Sequence, residues 1–250
     1  VKNNEPVELR WPVYAVEPKI SRMDDAAQIW HEIIEGAHAA AEPGVLFWDT
    51  AKKMTPSDAY SDVGFGSVST NPCGEIILSP YDSCRLMLVN LTSFVDNPYT
   101  EDASFNFEEY SSVVMRAQRL MDDMIDLEIE QVDKILAKID NDPESERVKY
   151  HEKALWTNVR EAALKGRRTG LGITGLGDAL AAMGIQYGSS ESVDVVEEIY
   201  KNLALNAYRS SCILASERGA FEVYDFEKEA DHAFIQRIYE ADPDIEAIDR

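Results

Sequence analysis

The sequence predicts an α/β fold, and three features of the chain support that class. Apolar residues between positions 24 and 41 recur every three or four residues, which is typical of an amphipathic helix. The pair Pro43-Gly44 ends this pattern, and the apolar run 45–48 after it predicts a short buried strand. Further apolar runs alternate with helical periods downstream, without an internal repeat or a low-complexity linker. One α/β-rich piece is therefore the simplest architecture.

The rest of the chain supplies the remaining elements in order. Residues 50–72 are rich in Ser, Thr, Gly, Asp and Pro, so we expect a long loop of the kind that is usually functional. The apolar run that begins at Cys84 predicts a second strand. Apolar periods and breaker residues then predict helices over 107–139, 145–165, 178–183, 190–218 and 226–240, with a glycine-rich segment at 166–177.

The composition argues against several function classes. The 250 residues carry 24 Lys and Arg against 46 Asp and Glu, a formal net charge of −22. That charge argues against nucleic acid as a partner and against a basic, membrane-surface protein. No apolar run approaches the length of a membrane span. Because the chain starts without Met and its ends are polar and charged, we expect a fragment of a longer protein.

The three cysteines, Cys73, Cys84 and Cys212, are too few for a disulfide framework in a chain of this length. No two of them have CxxC spacing, so we expect no structural metal site. This usage predicts a reduced, cytoplasmic protein. Cys212 lies in an apolar helical stretch, where packing is the simplest role.

A glycine run at 170–177 matches the spacing of a dinucleotide-binding fingerprint through Gly170, Gly172 and Gly175. That fingerprint needs a strand before the glycines and a helix after them, whereas residues 163–168 are typical of a helix end. A strand over 171–174, whose glycines allow backbones to approach closely, is the alternative interpretation. A nucleotide-binding oxidoreductase that uses this run stays open as a second function.

The segment around Cys73 carries the strongest chemical pattern. Alternate side chains of an extended segment share a face, so Asn71, Cys73 and Glu75 would point the same way at the end of the long polar loop. A thiol beside an amide and a carboxylate is not arranged to form a thiolate, but it suits a neutral or radical reaction with the carboxylate as base. Spacing alone also fits a buried structural cysteine beside a surface glutamate. Cys84 follows the turn 80–83, which predicts a position near the same pocket.

Several blocks of the sequence, in order over roughly 40–221, resemble the catalytic subunit of ribonucleotide reductase. Asn71-Pro72-Cys73-Gly74-Glu75 resembles the finger-loop motif of that family, and its exact form is most similar to the adenosylcobalamin-dependent class II enzymes. The other similar blocks are 42–49, the strand that starts at Cys84, 167–180 and 217–221.

The resemblance implies a ten-stranded α/β barrel with a central finger loop. Residues 1–250 would then be the central, incomplete part of the barrel domain. Its predicted parts are the approach to the finger loop at 50–75, a barrel strand at 84–95, helices over 107–165, and a glycine-rich strand and helix at 166–183. Such a fragment alone is expected to be inactive.

The resemblance also implies the chemistry: radical-based reduction of ribonucleotides to 2′-deoxyribonucleotides for DNA synthesis. Cys73 would carry a thiyl radical that takes the 3′ hydrogen of the ribose, and Glu75 would remove the 3′-hydroxyl proton. Asn71 would bind the ribose hydroxyls. Cys84 would supply one thiol of the redox-active pair.

The implied cofactor is adenosylcobalamin, and the implied substrate is a ribonucleoside di- or triphosphate. A dithiol reductant such as thioredoxin or glutaredoxin would restore the enzyme, and the full-length protein would form a homodimer. A class I catalytic subunit, whose radical is made by a separate subunit, is the alternative within the same family.

Overall fold

Helices and two-stranded sheets make up residues 5–83 and 85–249, which the computed structural model describes. Contacts divide the chain into two units, Val1–Trp48 and Asp49–Arg250. In the described part of the chain, no helix combines the length and the apolar composition that crossing a bilayer requires.

The first unit is a β-hairpin followed by a helix. Strand β1 (Pro6–Trp11) pairs antiparallel with β2 (Ile20–Asp25). Helix α1 (Ala26–Ala40) begins where the Asp25 carboxylate accepts a hydrogen bond from the Ala27 N–H at 2.8 Å, an ordinary N-cap. The strand predicted at 45–48 is wrong: residues 42–47 have no regular structure. Their apolar side chains are exposed, and in the described residues they pair with no strand.

The second unit begins with two short helices and a tight hairpin. Helix α2 covers Trp48–Met54, and a 3-10 helix covers Pro56–Val63. Strands β3 (Ser69–Thr70) and β4 (Ile77–Leu78) then pair antiparallel. Residues 50–72 are therefore not one irregular loop, because Pro56 starts a helical turn that Gly64 ends at φ +98°.

A parallel strand pair lies at the centre of the second unit. Strand β5 (Met87–Asn90) is followed by a 3-10 helix and by the short antiparallel pair β6 (Val95–Asp96) and β7 (Ser104–Phe105). The chain then forms the long helices α3 (Phe107–Asn141) and α4 (Glu146–Gly166), which pack on each other. It returns as β8 (Leu171–Thr174), parallel to β5. The strand expected over 84–95 is thus confined to 87–90, since Asn90 caps a 3-10 turn at Leu91.

Five helices complete the described part of the second unit. They are α5 (Leu176–Ala182), α6 (Ser190–Arg218), α7 (Phe226–Ala230), α8 (Ala233–Ala241) and α9 (Pro243–Asp249). The single helix predicted over 226–240 is interrupted because His232 has an extended backbone and its ring accepts the Phe234 N–H at 3.3 Å, which starts α8.

The main core lies between β5, α3, α5 and α6. It buries Leu91, Phe94, Tyr110, Val114, Ala179 and Ile199. Parallel strands joined through helices are an α/β arrangement, as the sequence predicts. The described residues form no closed barrel, so the ten-stranded barrel stays a prediction.

Candidate functional site

The hairpin β3–β4 carries the residues of the predicted site in its loop. Asn71 organises this loop: its side-chain Oδ1 accepts the Ile76 N–H at 3.0 Å, and its carbonyl accepts the Gly74 N–H at 3.1 Å. Gly74 has φ +82°, a conformation that glycine adopts at little cost. The side chain of Asn71 is thus buried for a structural reason that the sequence did not indicate.

Cys73 and Glu75 lie exposed at the tip of the hairpin. The structure therefore brings the three predicted residues onto one six-residue loop. The extended geometry expected for them is wrong, because residues 72–76 form turns and bends instead of a strand. Their common placement comes from the hairpin and not from a period of two.

Cys84 lies outside the described residues, so its position near Cys73 stays a prediction. The residues on either side of it are held by α3. Ser83 Oγ donates to the Glu128 carboxylate at 2.6 Å, and Arg85 Nε donates to the other oxygen of the same carboxylate.

Arg168 connects the hairpin to the residues before β8. Its Nη1 donates to Asp82 Oδ2 at 2.5 Å and to Ser79 Oγ at 3.1 Å, and its Nη2 donates to the Ile77 carbonyl at 2.9 Å. All three acceptors lie in β4 or in the turn after it. This arginine therefore fixes the returning arm of the hairpin that carries Cys73.

Arg85 supports Arg168 from a more deeply buried position. Its Nη1 donates to the Arg168 carbonyl at 2.9 Å while its Nε pairs with Glu128. The side chains of Arg85 and Asp82 are only 6% and 4% exposed. Sequence reasoning missed this network, although an arginine beside an apolar run and an arginine doublet were visible signals.

The neighbouring Arg167 has a different target. It donates to Asp122 and Asp126 of α3, each at 2.8 Å, and its backbone is left-handed with φ +40° where α4 ends. Arg167 therefore binds the long helix α3, whereas Arg168 binds the hairpin.

The glycine run forms β8 and leads into α5, as expected for a strand followed by a helix. The strand runs through the glycines, whereas a dinucleotide fingerprint needs it before them. A Cβ on Gly170 would lie 2.3 Å from the Arg85 carbonyl oxygen. Close backbone approach therefore explains this glycine, and the oxidoreductase alternative gains no support.

A cavity of about 970 Å³ lies in the second unit, bordered by α6, the C-terminal helices, the first 3-10 helix and residues 166–169, so Arg168 also lines it. None of Asn71, Cys73 and Glu75 lines it. Glu229 accepts a hydrogen bond from Tyr60 at 2.8 Å, and burial raises the pKa of its carboxyl group to about 7.

Cys212 also borders this cavity. It is 7% exposed and packs in a core cluster with Ile235 and Ile238, which confirms the packing role predicted for it. Burial raises the pKa of its thiol to about 12, with the nearby Asp249 carboxylate adding to the effect. Such a thiol is inert as a nucleophile.

Acidic, thiol and imidazole side chains do not gather in groups of three that could hold a metal ion within residues 5–83 and 85–249. The hairpin tip is exposed, and the large cavity does not reach it. The described residues therefore form no enclosed pocket around Cys73 that fits a corrin ring.

A family model described as the ribonucleotide reductase barrel domain matches residues 4–247. The chain belongs to this family. This membership agrees with the finger-loop motif that the hairpin carries at 71–75.

Curated members of the ribonucleotide reductase family are similar over most of this chain. A vitamin B12-dependent ribonucleoside-diphosphate reductase of Mycobacterium tuberculosis (strain CDC 1551 / Oshkosh) is 32% identical over 205 residues, which is 82% of this chain and 25% of the relative. One of Thermoplasma acidophilum is 30% identical over 217 residues, 84% of this chain and 24% of the relative. A ribonucleoside-diphosphate reductase large subunit of Variola virus is 25% identical over 215 residues, which is 86% of this chain and 24% of the relative.

The chain thus spans about a quarter of the length of the curated relatives it matches. The two relatives named as vitamin B12-dependent share more identical residues with it than the Variola virus large subunit does.

Proposed function

We propose that this chain is the part of a ribonucleotide reductase that carries the radical cysteine, and that the whole protein reduces ribonucleotides to 2′-deoxyribonucleotides. The observation that carries the proposal is the hairpin loop 71–76 in a chain of this family. It presents Cys73 and Glu75 at an exposed tip on a base held by buried charges. A thiol and a carboxylate on one anchored loop can act on the same sugar.

In the proposed reaction a Cys73 thiyl radical takes the 3′ hydrogen, and Glu75 takes the proton of the 3′-hydroxyl. The 2′-hydroxyl then leaves as water after it takes a proton from one thiol of a dithiol pair. Two electrons come from this dithiol, which has Cys84 as one of its thiols and becomes a disulfide, and its second hydrogen goes to the 2′ carbon. Glu75 then returns its proton to the 3′ oxygen, and Cys73 returns the hydrogen to the 3′ carbon and is a thiyl radical again. The Nδ2 of Asn71 is the group proposed to hold the ribose, since its Oδ1 accepts the Ile76 N–H.

Adenosylcobalamin is the cofactor we propose for the whole protein, on the strength of the relatives named as vitamin B12-dependent. When bound, this group supplies the radical. Because the described residues do not enclose Cys73, its binding site would need other parts of the protein. A class I arrangement, with a separate radical-generating subunit, is the alternative, and the Variola virus relative is named as a large subunit.

The substrate we propose is a ribonucleoside diphosphate, as the names of the relatives state for them, with the triphosphate as the alternative. Thioredoxin or glutaredoxin would supply the electrons. We also propose that the full-length protein is a cytoplasmic homodimer and that its barrel has ten strands around the hairpin. Residues 1–250 alone are proposed to be inactive. The predicted domain parts at 50–75, 84–95, 107–165 and 166–183 belong to the same proposal.

The test uses the full-length protein with a ribonucleoside diphosphate, adenosylcobalamin and dithiothreitol. Cys73→Ser should abolish reduction, because an O–H bond is too strong for a useful oxygen radical to replace the thiyl. Glu75→Gln should lower the rate by about 10²–10⁴, the usual cost of a lost general base. Cys84→Ser should still allow radical formation at Cys73 but stop multiple turnover with a dithiol, because half of the reducing pair is lost.

Cys212→Ser is the matched control, because that cysteine is buried in a core cluster away from the hairpin loop. It should retain turnover. The proposal fails if Cys73→Ser keeps more activity than Glu75→Gln, or if Cys212→Ser loses as much as Cys73→Ser.

A further inference from the structure

We propose that Arg168 is a positioning residue for the radical cysteine: it fixes the hairpin that carries Cys73 against the segment before β8. The proposal rests on the proposed function, because it gives Cys73 a position that matters for catalysis. Arg168 itself contacts the arm and turn of the hairpin and not its tip.

The geometry explains why a guanidinium is needed at this position. One planar group reaches a carboxylate, a hydroxyl and a backbone carbonyl, on Asp82, Ser79 and Ile77. Its fork of donors is rigid, so the three acceptors are held in a fixed relation to one another. A lysine at 168 would keep one charge for Asp82 but could not satisfy all three acceptors.

A second arginine, Arg85, stabilises the contact between Arg168 and the hairpin. Arg85 donates to the carbonyl of Arg168 and pairs with Glu128 of α3. Asp82 is therefore shared between two arginines, with Nη1 of Arg85 at 3.8 Å and Nη1 of Arg168 at 2.5 Å. Because the Asp82 side chain is almost fully buried, removing the charge of Arg168 leaves a carboxylate that water cannot readily solvate.

The consequence for catalysis is geometric. The hairpin has only two ladder pairs, Ser69↔Leu78 and Thr70↔Ile77, which cannot by themselves hold its tip rigidly. Hydrogen transfer needs the sulfur of Cys73 within about 0.5 Å of its productive position. A misplacement of about 1 Å typically costs about 10²-fold in rate.

The experiment compares Arg168→Met and Arg168→Lys with Arg167→Met in the full-length protein, assayed with a ribonucleoside diphosphate, adenosylcobalamin and dithiothreitol. Arg167 is the matched control, since it is the adjacent arginine and pairs with carboxylates, but those of α3. Arg168→Met should lower kcat by about 10²-fold with little change in KM, and Arg168→Lys should lie between it and wild type. Arg167→Met should leave kcat near wild type.

Hydrogen–deuterium exchange supplies the readout that does not depend on activity. Amides of residues 69–82 should exchange faster in both Arg168 variants, and those of α3 should not. Arg167→Met should show the opposite pattern. If Arg168→Met does not fold, Arg168→Lys and Asp82→Asn carry the test, and both should loosen the same amides.

The two proposals fail in different ways. If Cys73→Ser stays active, the proposed function fails, whatever Arg168 does. If Cys73→Ser is inactive but the Arg168 variants keep wild-type kcat, or lose it with an unchanged exchange pattern at 69–82, the positioning role is overturned.

Discussion

A single side chain can have a structural duty where the sequence indicates only a chemical one. The motif at 71–75 marks Asn71 as a ligand of the substrate, yet its carbonyl oxygens, one in the side chain and one in the backbone, close the loop. The amide nitrogen is the part of the side chain left for the ribose. Asn71 therefore both builds the loop and is a candidate to bind with it.

Glu229 provides a prediction at the same scale, because burial raises the pKa of its carboxyl from 4.5 to about 7 in the folded chain. The folded chain therefore binds the Glu229 proton more tightly than the unfolded chain does, and this difference stabilises the folded state. The stabilisation is complete below about pH 4.5 and is lost as the pH rises through 7. The free energy of unfolding should fall by about 3 kcal/mol over that range through this group.

Urea denaturation between about pH 4.5 and pH 8 measures this effect, with Glu229→Gln as the control. Glutamine keeps the shape and can still accept from Tyr60, but it does not titrate. The pH dependence of the variant should therefore be flatter than that of wild type. Equal slopes for the two proteins would show that Glu229 is ionised in the fold at neutral pH.

Among the elements, length decides what the sequence predicts correctly. Helix α3 runs for 35 residues, and its apolar period was sufficient to place it within two residues of its end. The four-residue run at 45–48 carries too little pattern to separate a strand from an irregular segment. The hairpin at 69–78 was missed because its strands have two residues each, one of them Ser-Thr.

The candidate site divides in the same way. The candidate side chains lie two positions apart in the sequence, so a motif is enough to predict a site with Asn71, Cys73 and Glu75 together. Their support is not local: the contact between Arg168 and Asp82 joins residues 86 positions apart. Local sequence patterns cannot predict such a contact, because only the folded chain brings the two residues together.

The parallel pair β5–β8 gives a prediction for an element. A Cβ at Gly170 would lie 2.3 Å from the backbone oxygen of Arg85, and backbone cannot move aside as a flexible side chain can. Gly170→Ala should therefore destabilise the protein by about 3 kcal/mol or more. Gly177→Ala is the matched control: that glycine lies in α5 with open space around its Cβ position, and the change should stabilise by up to about 1 kcal/mol.

Urea midpoints of the two variants against wild type measure the difference. Similar midpoints for Gly170→Ala and Gly177→Ala would mean that the close contact between Gly170 and the Arg85 backbone does not limit the stability of the protein.

For the whole molecule, charge is the dominant feature. A net charge of −22 on 250 residues means that carboxylates outnumber cations almost two to one. Surface ion pairs such as Arg160–Asp133 and Lys165–Glu161 neutralise some of them. Each exposed pair contributes only about 0–1 kcal/mol, and salt weakens it. Repulsion among the remaining carboxylates acts in the opposite direction and is also screened by salt.

The excess of carboxylates decides which effect is larger, and it predicts that salt stabilises this protein. Raising NaCl from about 0.02 M to about 0.3 M shortens the screening length from roughly 20 Å to under 10 Å, which weakens the repulsion between exposed charges. The free energy of unfolding in urea, an uncharged denaturant, should therefore rise with salt at pH 8. Near pH 4.5, the isoelectric point of the sequence, the net charge is close to zero and the rise should disappear. A fall with salt at pH 8 would mean that the ion pairs, including the network of Arg85 and Arg168, outweigh the repulsion.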